Sequence, residues 1–399
     1  MRKRPLGKTG LVVSEMAIGT WGLSGDAYGK VEEADAEDVL RRAIEIGFDL
    51  IDTADAYGAG RMERLAGKIA KDHPHVVIVT KGGLDRTTEP ARKNFSSDFL
   101  RSSVERSLKR IGKEALQIYL LHNPGPETLW NGEAAETLQA LKKEGKIEHW
   151  GVAAGDEDVA RAAIDKGAEV IELAYNLLHP VDLHRISGDI MISGAGILAR
   201  SVLGHGLLHG MWAKDRRFED DDHRSQRWTR LELEKRIDDL DAVRFLVKGD
   251  VHTLRGAAVR FVLANHNVSA AVLGPRTKEQ LESLKKTEPQ VADPKSLRNP
   301  GELTPAYARN DHRSIKPEYL VAVGICSHLG CSPSDKLQAG AQPSLPDDWQ
   351  GGFLCPCHGS TFDMAGRVFK NKPAPDNLEV PPHMYLTDTV LLIGEDKKA

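Results

Sequence analysis

Cysteine is nearly absent from this chain of 399 residues: there are 4, all between Cys326 and Cys357, and the first 325 residues have none. A disulfide framework spread over the whole fold is thereby excluded. Four thiols crowded into one short window read instead as a metal or cluster module added to a domain of another kind. Charge of one sign is missing too, since 54 Lys+Arg face 58 Asp+Glu for a net charge of -4. That balance argues against electrostatic capture of nucleic acid. No apolar run approaches the roughly 18 residues of a membrane helix. The longest candidates, LVAVGI (320–325) and TVLLIG (389–394), are strand-sized. The opening MRKRPLGKTG lacks the apolar core of a secretory signal, so a cytoplasmic protein with no membrane span in this chain is expected. With 40% hydrophobic and 28% charged residues, the composition suits one large and one smaller globular domain and excludes disorder and fibrous repeats.

Up to about residue 285, short apolar runs alternate with amphipathic segments. The strand-like runs are MAIGT (16–20), FDLIDTA (48–54), VVIVTK (76–81), LQIYLLH (116–122), HWGVA (149–153), VIELAYN (170–176), GILAR (196–200) and SAAVLG (269–274). Helix-like segments cover 37–47, 96–112, 133–145, 157–167 and 252–266, several ending at Gly as a left-handed helix cap prefers. Eight strands mostly separated by helices predict an α/β fold, a (β/α)8 TIM barrel over residues 1–285, with functional groups at the C-terminal strand ends. A long charged stretch, 212–251, interrupts the rhythm and reads as a solvated insertion after strand seven with one extra helix; its place on the rim also lets it fold over a ligand. From 286 onward, Pro-rich irregular chain leads into EYLVAVGIC, GGFLC, GRVFK, LEVPPH and MYLTDTVLLIG, short strands of a small all-β module.

Four polar residues fall where a barrel would use them. Asp52 and Tyr57 lie at and just beyond strand two, Lys81 ends strand three and His122 ends strand four. A Tyr is a weak acid with a free pKa near 10. A neighbouring Lys lowers that value, and an Asp can hold the Lys in place. Such a Tyr can protonate a carbonyl oxygen as hydride reaches its carbon, with His122 hydrogen-bonding the same oxygen. The stretches LGKTGLVVSEMAIGTW, FDLIDTADAYGAGRMERLAGK, VIVTKGG, IYLLHNP, LKKEGKIEHWGV and VLGPRTKEQLE resemble the aldo-keto reductase superfamily over residues 1–282. The resemblance implies extended NADPH, a catalytic tetrad of Asp52, Tyr57, Lys81 and His122, and a carbonyl or quinone substrate. It also implies that Gly274, Arg276, Thr277 and Gln280 grip the adenosine end, where a cation suits a 2'-phosphate. The chain carries no glycine-rich dinucleotide fingerprint; GAGRME at 58–63 is read as a loop.

Departures from the family pattern cluster in the cofactor contacts. Ala153 and Ala154 stand where a Ser or Asn commonly holds the carboxamide, and Glu172 replaces the usual Gln. Ser283 and Leu284 replace an adenine-contacting Glu-Asn pair. Arg200 takes the place of the side chain that stacks on the nicotinamide. Weaker or less precisely oriented cofactor binding is expected.

In the cysteine window, CSHLGC (326–331) and CPCHGS (355–360) offer two thiols and two imidazoles as Cys326-x-His328 and Cys355-x-x-His358. Zinc is one candidate, but the finger spacing is absent and each half has an extra cysteine. The pattern resembles a Rieske [2Fe-2S] protein, where one iron takes two Cys and the other two His. From about Ser283 onward the likeness is to the Rieske subunits of cytochrome bc1 complexes, through ADPKSL, HRSIKPEYLVAVG, FDMAGRVF and PAPDNLEVPPHMYL. It implies cluster ligands Cys326, His328, Cys355 and His358, a Cys331–Cys357 disulfide, shielding by Leu329 and by Pro373-Ala374-Pro375, and a Ser360 hydrogen bond to a cluster sulfur. Phe362 stands where many relatives have Tyr, and one donor fewer means a lower potential.

The expected organisation is a fusion within the segment 278–288, joining the barrel to a Rieske module (286–399) without the usual membrane anchor and first strands. Exposed strand edges would follow. The expected function is NADPH-dependent reduction of a carbonyl with an attached electron-transfer centre and a redox protein partner. The alternative is a quinol:cytochrome c reductase-type electron-transfer protein whose barrel is a scaffold. Hydride carries two electrons and the cluster accepts one, so quinone reduced in the barrel and reoxidised at the cluster would be the connecting route.

Overall fold

Alternation along eight short strands decides which side chains of the larger unit face inward. These strands are β1 (Met16–Gly19), β2 (Leu50–Asp52), β3 (Val77–Gly82), β4 (Leu116–His122), β5 (Ile147–Ala153), β6 (Val170–Ala174), β7 (Gly196–Arg200) and β8 (Val268–Leu273). In the computed structural model each pairs in parallel with its sequence neighbour, and β8 pairs with β1, so the sheet closes into a barrel. The structure describes all residues except 248–250, 252, 286–292, 294–295, 297–302, 311, 317–318, 339–344, 346–348, 350, 370–371 and 397–399. Two units are distinguished: Met1–Phe245 with Leu254–Lys285, and Leu246–Thr253 with Lys286–Ala399.

Leu50, Val77, Val79, Ile118, Leu120, Val170 and Leu198 form the barrel interior. Their alternate neighbours Ile51, Ile78, Tyr119, Leu121, Ile171 and Ile197 join the core beneath the helices. Leu6 and Val13, from an antiparallel pair of strands ahead of β1 (Lys3–Pro5 and Val12–Ser14), belong to the interior cluster. Gly7 makes that approach feasible: a Cβ there would lie 2.3 Å from the Gly196 amide nitrogen.

The expected helices appear at Glu33–Glu45, Ser97–Ile111, Glu133–Lys143, Glu157–Asp165 and Leu254–Ala264. A further helix, Arg61–Asp72, corrects the loop expected for GAGRME: only 58–60 turn, with positive φ of 57°, 52° and 82° at Gly58, Ala59 and Gly60. Met62, Leu65, Ala66 and Ile69 give this helix its buried stripe. Gly67 breaks the sequence pattern because a Cβ there would sit 2.2 Å from the Ile111 carbonyl oxygen. The segment 278–288 is helical over Lys278–Lys285, and its last three residues lie outside the described ones.

The 212–251 insertion differs from a solvated loop. Its expected helix is Arg230–Asp239, begun by a Thr229–Glu232 capping box. Ahead of it, Arg224 lies 4.9 Å from the Tyr28 ring, 5.4 Å from Trp212 and 4.5 Å from Phe218. Asp222 bridges to Tyr28, and the His223 amide donates to the Ala27 carbonyl at 2.7 Å. The insertion is therefore clasped to the loop after β1 by rings interleaved among its charges.

In the second unit, Ser334–Asp335, Phe353–Leu354 and Thr361–Phe362 form a three-stranded antiparallel sheet, and His383–Tyr385 pairs with Leu391–Ile393. The strands expected over EYLVAVGIC and LEVPPH are not regular: apart from His383, their described residues form no ladder. Isolated bonds replace one, from the Val323 amide to Glu379 O and from the Val380 amide to Leu303 O, both 2.8 Å. Ile325 and Ile393 are more than half exposed. Phe362, Val368, Ala374 and Leu378 pack with Cys326 and Cys355. Arg313, fully buried, donates to the carbonyls of Ala365, Gly366 and Leu378 and to the Thr304 hydroxyl, tying three loops together. Among the described residues no helix is long and apolar enough to cross a membrane.

Candidate active site and cluster site

The inward phase of each strand carries a polar residue to the barrel's C-terminal end. Asp52 follows Leu50 in phase, Lys81 follows Val77 and Val79, His122 follows Ile118 and Leu120, Glu172 follows Val170 and Arg200 follows Leu198. Lys81 Nζ donates to Asp52 Oδ2 at 2.5 Å and to the Thr53 carbonyl at 3.0 Å. It also lies 3.1 Å from Glu172 Oε2 and 5.4 Å from the centre of the Tyr57 ring. Tyr57 and His122 meet edge to face with ring centres 5.7 Å apart. The structure thus brings together all four residues expected from the sequence and adds Glu172.

Tyr57 is on no strand. The Gly58 amide donates to Asp26 Oδ2 at 2.6 Å, and Arg86 donates to the Ala56 carbonyl at 2.6 Å, fixing both sides of the turn. Ala59, at φ 52°, adopts a left-handed conformation that costs a non-glycine residue energy, and the turn is held despite it. Sequence periodicity gave no signal for Asp26 or Arg86.

Burial decides most of the ionisation. It pushes the Tyr57 phenol above its usual 10, outweighing the lowering effect of Lys81; the lowered value expected from the sequence is corrected on this point. His122 is depressed to about 4, by burial first and Lys81 second, so its imidazole is neutral, and its Nδ1 is buried without a partner. Burial disfavours the Lys81 ammonium, but Asp52 and Glu172 outweigh it and hold the cation. Asp52 is raised to about 8 by burial and by the Glu172 charge. Glu172 is held below the usual carboxylate range, Lys81 and Arg200 outweighing its burial.

Of the remaining expected residues, Arg200 borders this group and the others follow β8. Arg200 donates to the Ala154 carbonyl at 2.9 Å, with Nε 3.9 Å from Glu172. Gly274 and Arg276 follow β8; the Arg276 amide donates to Gln280 Oε1 at 2.8 Å, and its guanidinium donates to Gly29 O at 3.1 Å. The Gln280 amide donates to Thr277 Oγ1 at 3.2 Å. Arg276 Nε is buried and unpartnered, a free donor where an anionic group of a dinucleotide could be held. Ala153 and Ala154 offer no polar side chain.

In the second unit, Cys331 and Cys357 are disulfide-bonded, and Cys326 and Cys355 are buried free thiols. Three sulfurs, of Cys331, Cys355 and Cys357, lie within 4.8 Å of one another. Two of them share a covalent bond, so Cys355 alone among these carries a free thiol. Cys326 is its companion: its thiol is raised by burial and contacts Cys355, Ser360 and the His328 backbone. The His328 and His358 rings are 4.7 Å apart at 89°, and His328 Nδ1 is buried without a partner. Two thiols and two adjacent imidazoles, one with an orphan nitrogen, fit an iron-sulfur cluster. Ser360 Oγ accepts from the Ala374 amide at 2.9 Å, linking the 373–375 loop to this pocket. Leu329 is 68% exposed and points to solvent.

Comparison with known proteins agrees with both halves. The aldo/keto reductase family matches residues 15–294 and the Rieske [2Fe-2S] domain matches residues 295–382. The chain belongs to the aldo/keto reductase family and carries a Rieske [2Fe-2S] domain. It is 30% identical to the NADH-specific methylglyoxal reductase of Escherichia coli over 54% of this chain and 71% of that protein. The C-terminal part is 56% identical to the ubiquinol-cytochrome c reductase iron-sulfur subunit of Allochromatium vinosum, over 31% of this chain and 57% of that subunit. A solved glycerol dehydrogenase from Gluconobacter oxydans superimposes with a TM-score of 0.63 at 26% identity, over 71% of this chain and 89% of that one.

Proposed function

We propose that this oxidoreductase reduces an aldehyde, ketone or quinone with NADPH, using Tyr57 as proton donor, and that its [2Fe-2S] centre, held by Cys326, His328, Cys355 and His358, moves single electrons. The convergence of Asp52, Lys81, Tyr57 and His122 at the strand ends carries the proposal. When bound, the dinucleotide supplies hydride and the cluster accepts one electron at a time. Asp52 anchors Lys81, whose charge favours the phenolate left when Tyr57 gives its proton to the carbonyl oxygen. Neutral His122 donates a hydrogen bond to that oxygen and orients it. Arg276, with its free Nε, would hold the phosphate that distinguishes NADPH from NADH.

The test is oxidation of NADPH and of NADH with a simple aldehyde and with a quinone, by the wild type and by Tyr57→Phe. Turnover lost in the variant supports the proposal, and equal rates with the two dinucleotides defeat the NADPH preference. A second function, electron transfer with the barrel as scaffold, is favoured by the lack of polar side chains at Ala153 and Ala154. An intact cluster spectrum with no dinucleotide turnover would select it. Bleaching of the cluster by NADPH only when quinone is added would join the two centres. A cytoplasmic setting suits NADPH supply, and the disulfide, with Cys331 half-buried and Cys357 exposed, would there be open to cellular thiols.

A further inference from the structure

Lys81 is surrounded by more negative charge than one ammonium neutralises. Asp52 Oδ2 from β2 lies 2.5 Å from Lys81 Nζ, and Glu172 Oε2 from β6 lies 3.1 Å from it. All three are out of solvent, with Asp52 4%, Glu172 3% and Lys81 0% exposed. The other groups facing them are the Tyr57 phenol, the neutral His122 imidazole and Arg200. Arg200 reaches Glu172 only at 3.9 Å and spends a donor on the Ala154 carbonyl. Two buried carboxylates that share one close cation repel each other, and the usual result is that one of them stays protonated.

We propose that Glu172 is a positioning residue of the barrel site: with Asp52 it holds Lys81 from two strands, and the Asp52–Lys81–Glu172 group retains one proton at neutral pH that keeps Tyr57 able to donate. The second half rests on Tyr57 being the proton donor; retention of the proton does not. While the proton is held, one carboxylate opposes one ammonium. Its loss adds a negative charge beside Lys81, which cancels the cation's effect on the phenol and makes Tyr57 a poorer acid. Burial and the Glu172 charge place that loss at about pH 8, on Asp52. The proton is not consumed: in a turnover the carbonyl carbon gains hydride, its oxygen gains the Tyr57 proton, and the phenolate is reprotonated from water.

Infrared pH-difference spectra of the whole 399-residue chain without added cofactor test this directly. The wild type should show a protonated-carboxyl band that disappears on raising the pH through about 8. Glu172→Gln, nearly the same shape, should lose the band at neutral pH, because Asp52 then has Lys81 to itself; Glu172→Asp should restore it, and Asp52→Asn should remove it. No such band in the wild type, or an unchanged band in Glu172→Gln, overturns the proposal. The pH profile of carbonyl reduction is the second readout: the wild type should fall on the alkaline side of about pH 8, and Glu172→Gln should lack that limb. A wild type with the band but no reduction at any pH defeats the reductase function while proton retention stands; a limb unchanged in Glu172→Gln defeats the link to Tyr57.

Discussion

Replacing Lys81 with Met removes the one cation, among the described residues, within hydrogen-bonding distance of two buried carboxylates, and keeps most of the side-chain volume. Breaking a buried ion pair by deleting one partner costs about 3–5 kcal/mol. That is a large part of the roughly 5–15 kcal/mol that holds a domain folded. The cost must depend on pH, and its sign follows from the direction of the shift. Without Lys81, burial raises both carboxyl groups in the folded state above their unfolded values. Stability is then untouched below the unfolded carboxyl pKa of about 4, and is lost as the pH rises through the raised folded values. In the wild type Asp52 already lies at about 8, and removing Lys81 takes away a charge that lowers both carboxyl groups. Urea denaturation of wild type and Lys81→Met, followed by the tryptophan emission of the barrel at several pH values, measures the difference. It should be small near pH 5 and exceed about 3 kcal/mol by pH 8 or above. A difference that stays flat with pH, or stays below about 1 kcal/mol, would refute the assignment of both carboxylates to this lysine. The double variant Lys81→Met/Glu172→Gln should recover part of the loss, because it deletes one stranded charge.

Tyr57→Phe should lower carbonyl reduction by about 10²–10⁴-fold with an unchanged circular dichroism spectrum, since general acid catalysis is worth that much. Cys331→Ser opens a cross-link between residues 26 apart in sequence, worth about 3 kcal/mol in chain entropy; iron should be released at a lower urea concentration than from the wild type. Arg313→Met leaves the carbonyls of Ala365, Gly366 and Leu378 without their donor, at about 1–3 kcal/mol each. Proteolysis should then cut the second unit while the barrel stays intact. His122, neutral down to about pH 4, should contribute no inflection to the pH profile of reduction between that value and neutrality, and His122→Asn should have the same profile shape there.

The parts of this protein that its sequence made legible are those in which a local period determines a tertiary position. Once Leu50 and Ile118 are known to face inward, Asp52 and His122 face inward too, because side chains two residues apart share a face. The parallel order of the strands then puts their ends on one rim. Lys81, Glu172 and Arg200 follow by the same rule. The rule does not say who meets whom across the lumen: the Lys81–Glu172 contact spans three strands and 91 positions of sequence, and only the closed barrel makes it. Tyr57 was visible as a residue type near a strand end, but its placement depends on Asp26 and on three consecutive left-handed residues, neither of which leaves a periodic trace.

The same distinction explains the errors. GAGRME reads as a loop because its two glycines mark a turn, and that turn ends at Gly60 where the helix Arg61–Asp72 begins; Gly67 within the helix is a site of close approach to Ile111. The insertion looked solvated because its average charge is high, although Trp212, Phe218 and Tyr28 take up the Arg224 guanidinium. In the second unit the error ran the other way. EYLVAVGIC and LEVPPH have strand composition, yet a β-strand is defined by a partner, and apart from His383 their described residues find single hydrogen bonds in place of a ladder. Arg313 supplies there what a sheet would otherwise supply, donors for the Ala365, Gly366 and Leu378 carbonyls, so one buried guanidinium holds the loops around the Cys326–Cys355 pocket where strand pairing does not.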